Sequence, residues 1–239
     1  MNFKNIVIIP ARGGSKRIPK KNIKDFLGKP IIAYSIEMAI NSKLFSRVIV
    51  STDDEEIKDI VLKYGAEVPF IRPKNIADDF TGTHEVIGHA VEYLENTGET
   101  MDYVCCIYPT APLIQKDDLI KGFKLIQTNK WNSVMAATNF SYPIFRSFEN
   151  LPNGGLKMIF PEHYNSRSQD LPEVYHDAGL FYWAKPKIWK KKPQGYNEKN
   201  SIVKLPNYRI QDIDTPDDWK KAEILYEIIN SKKNKLQKK

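Results

Sequence analysis

The chain has 239 residues, 41% of them hydrophobic, enough for one large α/β domain with a full core. Its formal net charge of +7 suggests nucleic acid at first sight, but five lysines (Lys232, Lys233, Lys235, Lys238 and Lys239) sit in the terminal stretch. Aromatic residues are not interleaved with basic ones as a single-strand platform requires, so no nucleic-acid partner is expected.

No apolar run reaches membrane-spanning length, and Ile6–Ile9 is too short for a signal-peptide core. Cys105 and Cys106 are neighbours on a predicted strand and point to opposite faces. Neighbouring cysteines rarely bridge, so the expectation is a reduced, cytoplasmic protein with no membrane partner. One domain over residues 1–230 and a flexible basic tail over 231–239 are predicted.

In chain order, Ile6, Val7, Ile8 and Ile9 form a β-branched run typical of a strand buried on both faces of a parallel sheet, and Pro10 ends it. The loop that follows holds Ala11, Arg12, Gly13, Gly14 and Ser15, then Lys16, Arg17, Lys20, Lys21 and Asn22, with no carboxylate before Asp25. Adjacent glycines let successive N–H groups turn toward one point, and five cations surround it. Residues 6–22 therefore read as a polyphosphate site in preference to a solvated turn. The glycine spacings of a Walker A loop and of a dinucleotide fingerprint are both absent.

Pro30 opens a helix with Ile32, Ile36 and Ala39 inward. Val48–Val50 is a second strand, and Thr52-Asp53-Asp54-Glu55 reads as a capping box for a helix stopped by Gly65. A short third strand is expected over Val68–Ile71. A polar loop over 77–83 leads to a helix with Val86, Ala90 and Leu94 on one face. Tyr103–Tyr108 is a buried strand running into the rigid Pro109-Thr110-Ala111-Pro112, followed by a helix near 117–127 and a strand at Val134–Ala137. Alternation at this spacing predicts βαβ units, and ligands bind beyond the carboxyl ends of such strands.

From about residue 140 to 170 the pattern breaks into short segments with several prolines and aromatics, a β-hairpin excursion suited to a subunit interface or a substrate lid. Gly179–Ala184 returns to strand. Thr215 and Pro216 open a final helix with Trp219, Ala222, Leu225 and Ile229 inward.

Asp212 and Asp214, two apart on an extended segment, share one face. Alone they read equally as metal ligands or solvated acids. Beside a cationic phosphate loop they read as an Mg²⁺ pair, since Mg²⁺ takes one or two carboxylates plus substrate phosphates. Asp217 and Asp218 are helix-dipole partners. His84 and His89 are five apart, off the spacing of one helical face, and His163 stands alone. His176 and Asp177 precede the late strand, where they either face a ligand or are ordinary surface. No nucleophile elbow is present.

These blocks together resemble the CMP-sialic acid synthetases. Ile9–Asn22 is similar to the family's signature loop. Gly28-Lys29-Pro30, Ser51–Glu55, Arg72-Pro73, Pro109–Pro112 and Gln211–Asp214 follow as landmarks in the family's order, over about residues 5–229. Tyr108–Pro112, Arg167–Leu171 and Tyr175–Gly179 are most similar to the branch acting on pseudaminic acid. The resemblance implies an α/β fold of the nucleotide-diphosphosugar-transferase type, mostly parallel and Rossmann-like. It further implies a homodimer with the excursion packed on its partner, and transfer of CMP from CTP to a nonulosonic acid.

By the same resemblance, Ala11, Arg12, Gly13, Gly14, Ser15 and Lys21 would cradle the triphosphate, and Asn22, Arg72 and Thr83 the cytidine. Asp212 and Asp214 would hold Mg²⁺, with Arg12 and Lys21 sharing the catalytic charge stabilisation. Tyr108, Thr110, Arg167, Gln169, His176 and Asp177 would meet the sugar, Arg167 through its carboxylate. Sialate synthetases usually carry Gln where this chain has Tyr108, which argues against N-acetylneuraminate as the sugar. The alternatives are a synthetase for legionaminic or N-acetylneuraminic acid and, from another class, a non-catalytic nucleotide binder or a basic-tail interaction protein.

Overall fold

The computed structural model describes residues 3–192 and 195–236. Chain order begins with strand β1 (Asn5–Pro10), the short strands β2 (Asp25–Phe26) and β3 (Lys29–Pro30), and helix α1 (Ile31–Ser42). Then come β4 (Arg47–Ser51), α2 (Glu55–Lys63), α3 (Thr83–Asn96), β5 (Tyr103–Ile107), α4 (Lys116–Ile126) and β6 (Ser133–Asn139). The excursion holds β7 (Phe148–Asn150) and β8 (Leu156–Met158), and the chain closes with β9 (Tyr175–Ala184), α5 (Pro186–Trp189), β10 (Asn200–Lys204) and α6 (Pro216–Leu236).

Six strands form one sheet in the order β10-β6-β9-β5-β1-β4. β1 pairs in parallel with β4 and β5, and β10 with β6, while β9 runs antiparallel between β5 and β6. The chain leaves β1 for β4 on one side and places β5 on the other. That reversal opens a crevice at the carboxyl ends of β1 and β5, where open α/β sheets take ligands.

β1 is buried from Asn5 to Ile9 because helices cover both faces. Val7 and Ile9 join Cys105, Ile107 and the inward residues of α1 and α2, while Ile6 and Ile8 join Val104, Cys106 and Ile87 on the opposite face. The two free cysteines therefore serve different cores. A third apolar cluster (Ile18, Phe26, Ile31, Tyr34, Ile213, Trp219 and Ala222) ties the loop after β1 to the end of the chain.

Several expected elements are displaced. Val68–Ile71 is no strand: only isolated bridges join Glu67 to Ile49 and Ile71 to Thr52, because Pro69 between them has no donor. The cap of α2 is Asp54, whose Oδ1 accepts from the Ile57 amide at 3.0 Å, in place of Thr52. The capping box lies instead on α6. Thr215 Oγ1 accepts from the Asp218 amide at 3.2 Å, while Asp218 Oδ2 accepts from the Thr215 amide at 2.9 Å. Of the expected tail, residues 231–236 continue α6, and residues 237–239 lie outside the described residues.

Candidate active site

A cleft of about 410 Å³ occupies the predicted crevice. Its walls come from the loop after β1 (Arg12, Ser15, Lys16, Arg17, Lys21 and Asn22), from Arg72, from residues 78–83, from Tyr108–Thr110 after β5, and from Asp212 and Asp214. Ala11, Gly13 and Gly14 build the backbone around it. Ala11 is fully buried and its amide donates to the Ser51 carbonyl at 2.9 Å, locking the loop's first residue onto β4.

The glycines act differently from the sequence expectation. Neither Gly13 nor Gly14 has positive φ, and the Gly13 amide is already donated to Asp53 Oδ1 at 3.1 Å. Gly13 is required for close approach: a Cβ there would sit 2.3 Å from Asp54 Oδ2. At Gly14 a Cβ would meet open space. Lys20 is not part of the cleft, because its ammonium turns away to Glu56.

The remaining cations of the loop are held by carboxylates. Arg12 pairs with Asp79 at 2.8 Å and donates to the Asp78 carbonyl at 2.6 Å, and Lys16 joins the same Asp79 carboxylate. Arg17 pairs with Asp214 at 2.8 Å and Lys21 reaches the same oxygen at 3.3 Å. Asn22 is buried and donates its side-chain amide to the Arg12 carbonyl at 2.9 Å, fixing the turn of the loop.

Arg72 is 4% exposed, with Nε donating to Ser51 Oγ at 3.1 Å and a second nitrogen to the Ser51 carbonyl. Burial pulls its pKa down to about 10, offset in part by Asp53. A cation so desolvated favours an arriving polar or anionic group. Thr83 Oγ1 and the Tyr108 hydroxyl lie 3.1 Å apart across the far wall.

Ile213 is completely buried in the third cluster, which stabilises its segment by about 2 kcal/mol and leaves Asp212 and Asp214 turned to the cleft. The Asp212 carboxyl is raised from the ordinary range, first by desolvation in the cleft and then by the like charge of Asp214, with Lys21 offsetting only part. A divalent cation relieves that situation, so the donor set fits Mg²⁺. Among the described residues no cluster of three or more His, Cys, Asp or Glu surrounds the pair, so phosphate oxygens and water would complete the shell.

The predicted sugar residues divide. Tyr108 and Thr110 line the cleft. Asp177 lies on β9 beyond Tyr108, its carboxylate accepting from the Tyr182 and Tyr196 hydroxyls. His176 points outward against Phe140. Arg167 is exposed and forks onto Asp170 at 2.6 and 3.2 Å, and Gln169 is exposed beside it; neither lines the cleft. Missed from the sequence were Asp78 and Asp79, which grip the cationic loop, and Tyr182 and Tyr196, which hold Asp177. The acidic pair in a polar loop was the available signal for the first two.

Fold and cleft define an α/β protein with a mostly parallel sheet and an acidic pair facing a cationic loop at its carboxyl edge. The family model described as Cytidylyltransferase matches residues 6–227, and the chain belongs to that family. It is 48% identical over 226 residues to the pseudaminic acid cytidylyltransferase of Campylobacter jejuni subsp. jejuni, covering 95% of this chain and 97% of that one. It is 41% identical to a Helicobacter pylori protein, over 87% of this chain and 40% of that one. That protein is described as a pseudaminic acid cytidylyltransferase and UDP-2,4-diacetamido-2,4,6-trideoxy-beta-L-altropyranose hydrolase. Among solved structures, a CMP:2-keto-3-deoxy-manno-octonic acid synthetase complexed with CTP shares the fold at a TM-score of 0.68 and 18% identity, covering 93% of this chain and 98% of that one.

Proposed function

We propose that the protein transfers CMP from CTP to the anomeric hydroxyl of pseudaminic acid. The observation that carries the reading is the placing of Lys21 and Asp214 3.3 Å apart across the cleft, which joins a cationic phosphate loop to a carboxylate pair. The C2 hydroxyl oxygen of the sugar acid attacks the α-phosphate, the bond to the bridging oxygen breaks, pyrophosphate leaves, and the hydroxyl proton passes to water. Arg12 and Lys21 bind and orient the triphosphate and offset its charge. Asn22, Arg72 and Thr83 serve the cytidine end, with Ser15 and the loop backbone on the phosphates. Mg²⁺ held by Asp212 and Asp214 would supply further stabilisation of phosphate charge.

The sugar assignment is supported by the Campylobacter relative, aligned over nearly its whole length, and by the Helicobacter one, whose second activity concerns a deoxygenated diacetamido sugar. Arg167 forks onto Asp170 and lines no wall of the cleft, so we assign the sugar carboxylate to the cations of the cleft instead. The excursion exposes Tyr142, Phe148, Leu156 and Tyr164, a surface suited to a second copy of the chain, and we place the homodimer contact there. Buried thiols at Cys105 and Cys106 suit a reducing cytoplasm, and no helix among the described residues is long and apolar enough to cross a membrane.

The test is pyrophosphate release from CTP with pseudaminic, legionaminic and N-acetylneuraminic acids side by side. Pseudaminic acid is expected to give the highest kcat/KM. A higher value with either competitor overturns the sugar, and no release with any of them overturns the activity.

A further inference from the structure

One ion pair lies deeper than the rest. Arg209 forks onto Asp118, with Nη1 donating to Oδ2 at 2.6 Å and Nη2 to Oδ1 at 3.1 Å. The two side chains are 16% and 2% exposed, whereas every other ion pair among the described residues leaves both partners at least 21% exposed. Taking two charges out of water is costly, and an apolar pair of similar volume often serves stability as well. A buried pair therefore calls for a second reason, and the best attested one is the fixing of a register.

The pair joins two segments that both reach the cleft. Asp118 lies in the first turn of α4, and the chain from Ala111 to Ile114 is buried throughout, so α4 continues rigidly from the Tyr108–Thr110 wall. Arg209 ends a 3₁₀ turn (Asn207–Arg209) three residues before Asp212. Residues 210–214 belong to no helix or strand, so no ladder of backbone bonds fixes where Asp212 and Asp214 stand.

Tethers do so instead. Downstream, Ile213 is buried in the third cluster, its carbonyl accepts from Lys21 at 2.6 Å, and the Asp214 amide donates to Asp218 at 3.3 Å. Upstream, buried Thr138 donates to the Leu205 carbonyl at 2.8 Å, and Asn207 donates to Ser141 Oγ at 3.2 Å. Between those ends, the fork of Arg209 ties the segment to α4. A planar fork fixes orientation as well as distance. Neither partner lines the cleft.

We propose that Arg209 and Asp118 are a positioning pair, which sets Asp212 and Asp214 against the Tyr108–Thr110 wall so that both carboxylates meet one divalent cation on the phosphates of a bound nucleotide. This inference rests on the CMP-transfer reading and adds to it the device that holds the carboxylates in place.

Arg209→Lys tests it, because the ammonium keeps the charge and loses the fork. The readout is calorimetric titration with CTP, without sugar, in EDTA and across a series of Mg²⁺ concentrations. We expect the half-saturating Mg²⁺ concentration for CTP binding to rise on the order of 10-fold, while affinity in EDTA stays within about twofold of the parent. The double variant Asp118→Leu/Arg209→Met fills the same space without charge and should melt close to the parent. It too should need more Mg²⁺, since apolar side chains slide where a fork does not.

An unchanged Mg²⁺ requirement in Arg209→Lys overturns the inference, whatever the fall in melting temperature. So does an equal loss of CTP affinity with and without Mg²⁺, which a pair that only supports the fold would give. If Arg209→Lys does not melt cooperatively, the double variant decides by the same criterion. A double variant with the parent's Mg²⁺ dependence, or one that does not fold, shows a purely structural pair and overturns the inference. If Mg²⁺ leaves the parent's CTP affinity unaltered, the metal role of Asp212 and Asp214 falls and this inference with it, whereas CMP transfer is judged separately by pyrophosphate release.

Discussion

Lys21 donates to the main-chain carbonyl of Ile213 at 2.6 Å, joining two segments 192 residues apart. The same ammonium lies 3.3 Å from Asp214. One lysine thus closes the cationic loop onto the carboxylate segment. Lys21→Met keeps the stem and removes the donor. Its loss should cut turnover by about two orders of magnitude and lower stability by about 1–2 kcal/mol, because the Ile213 carbonyl loses its partner. Steady-state kinetics and urea unfolding of the variant check both figures.

Asp214→Asn removes the charge that Arg17 and Lys21 share while leaving Ile213 buried. Turnover should fall by roughly two orders of magnitude with the unfolding midpoint nearly unchanged. Turnover near the parent's at limiting Mg²⁺ would remove Asp214 from the metal-binding role.

Gly13→Ala places a Cβ 2.3 Å from Asp54 Oδ2, and that aspartate caps α2. Either the loop retreats from β4 or the cap is lost. A lost cap alone costs about 1 kcal/mol, and a shifted loop weakens CTP. Gly14→Ala, with open space at its Cβ, should bind CTP as the parent does. Calorimetric titration of both variants with CTP separates the two positions.

His89 packs edge-on to Phe70 with its Nδ1 buried and unpartnered, and burial lowers its pKa below 6.5. The unfolded chain then binds a proton that the folded chain resists. Stability should rise with pH through the window between the lowered folded value and 6.5, and fall as pH drops through it. His89→Phe should flatten that part of the pH profile of the melting temperature.

The fold was legible wherever one physical signal dominated. The β-branched run Ile6–Ile9 and the stripe Val86, Ala90, Leu94 leave little choice of element, and all of these residues are buried. Val68–Ile71 carried the right residue types, yet one proline donor too few kept it out of the sheet. Thr52 and Thr215 head similar strings, Thr-x-x-Glu and Thr-x-x-Asp; only the second forms a capping box, because Thr52 lies fully buried at the end of β4. In the site, charge along the chain located the loop and the carboxylate pair. It said nothing of Asp79 crossing to Arg12, because that contact depends on how the 77–83 loop folds back over the crevice.

The cationic loop carries its own counterions. Asp79 is shared by Arg12 and Lys16, and Asp214 by Arg17 and Lys21, so two carboxylates face four cations. On the proposed reading, a triphosphate entering the cleft exchanges tethered carboxylates for phosphate oxygens instead of expelling dissolved anions to bulk. Affinity for the nucleotide becomes a difference between two sets of ion pairs, and mass action of salt acts on both sides of that exchange. On the proposed reading, nucleotide affinity should vary less with ionic strength than it would for a cationic loop without carboxylate partners.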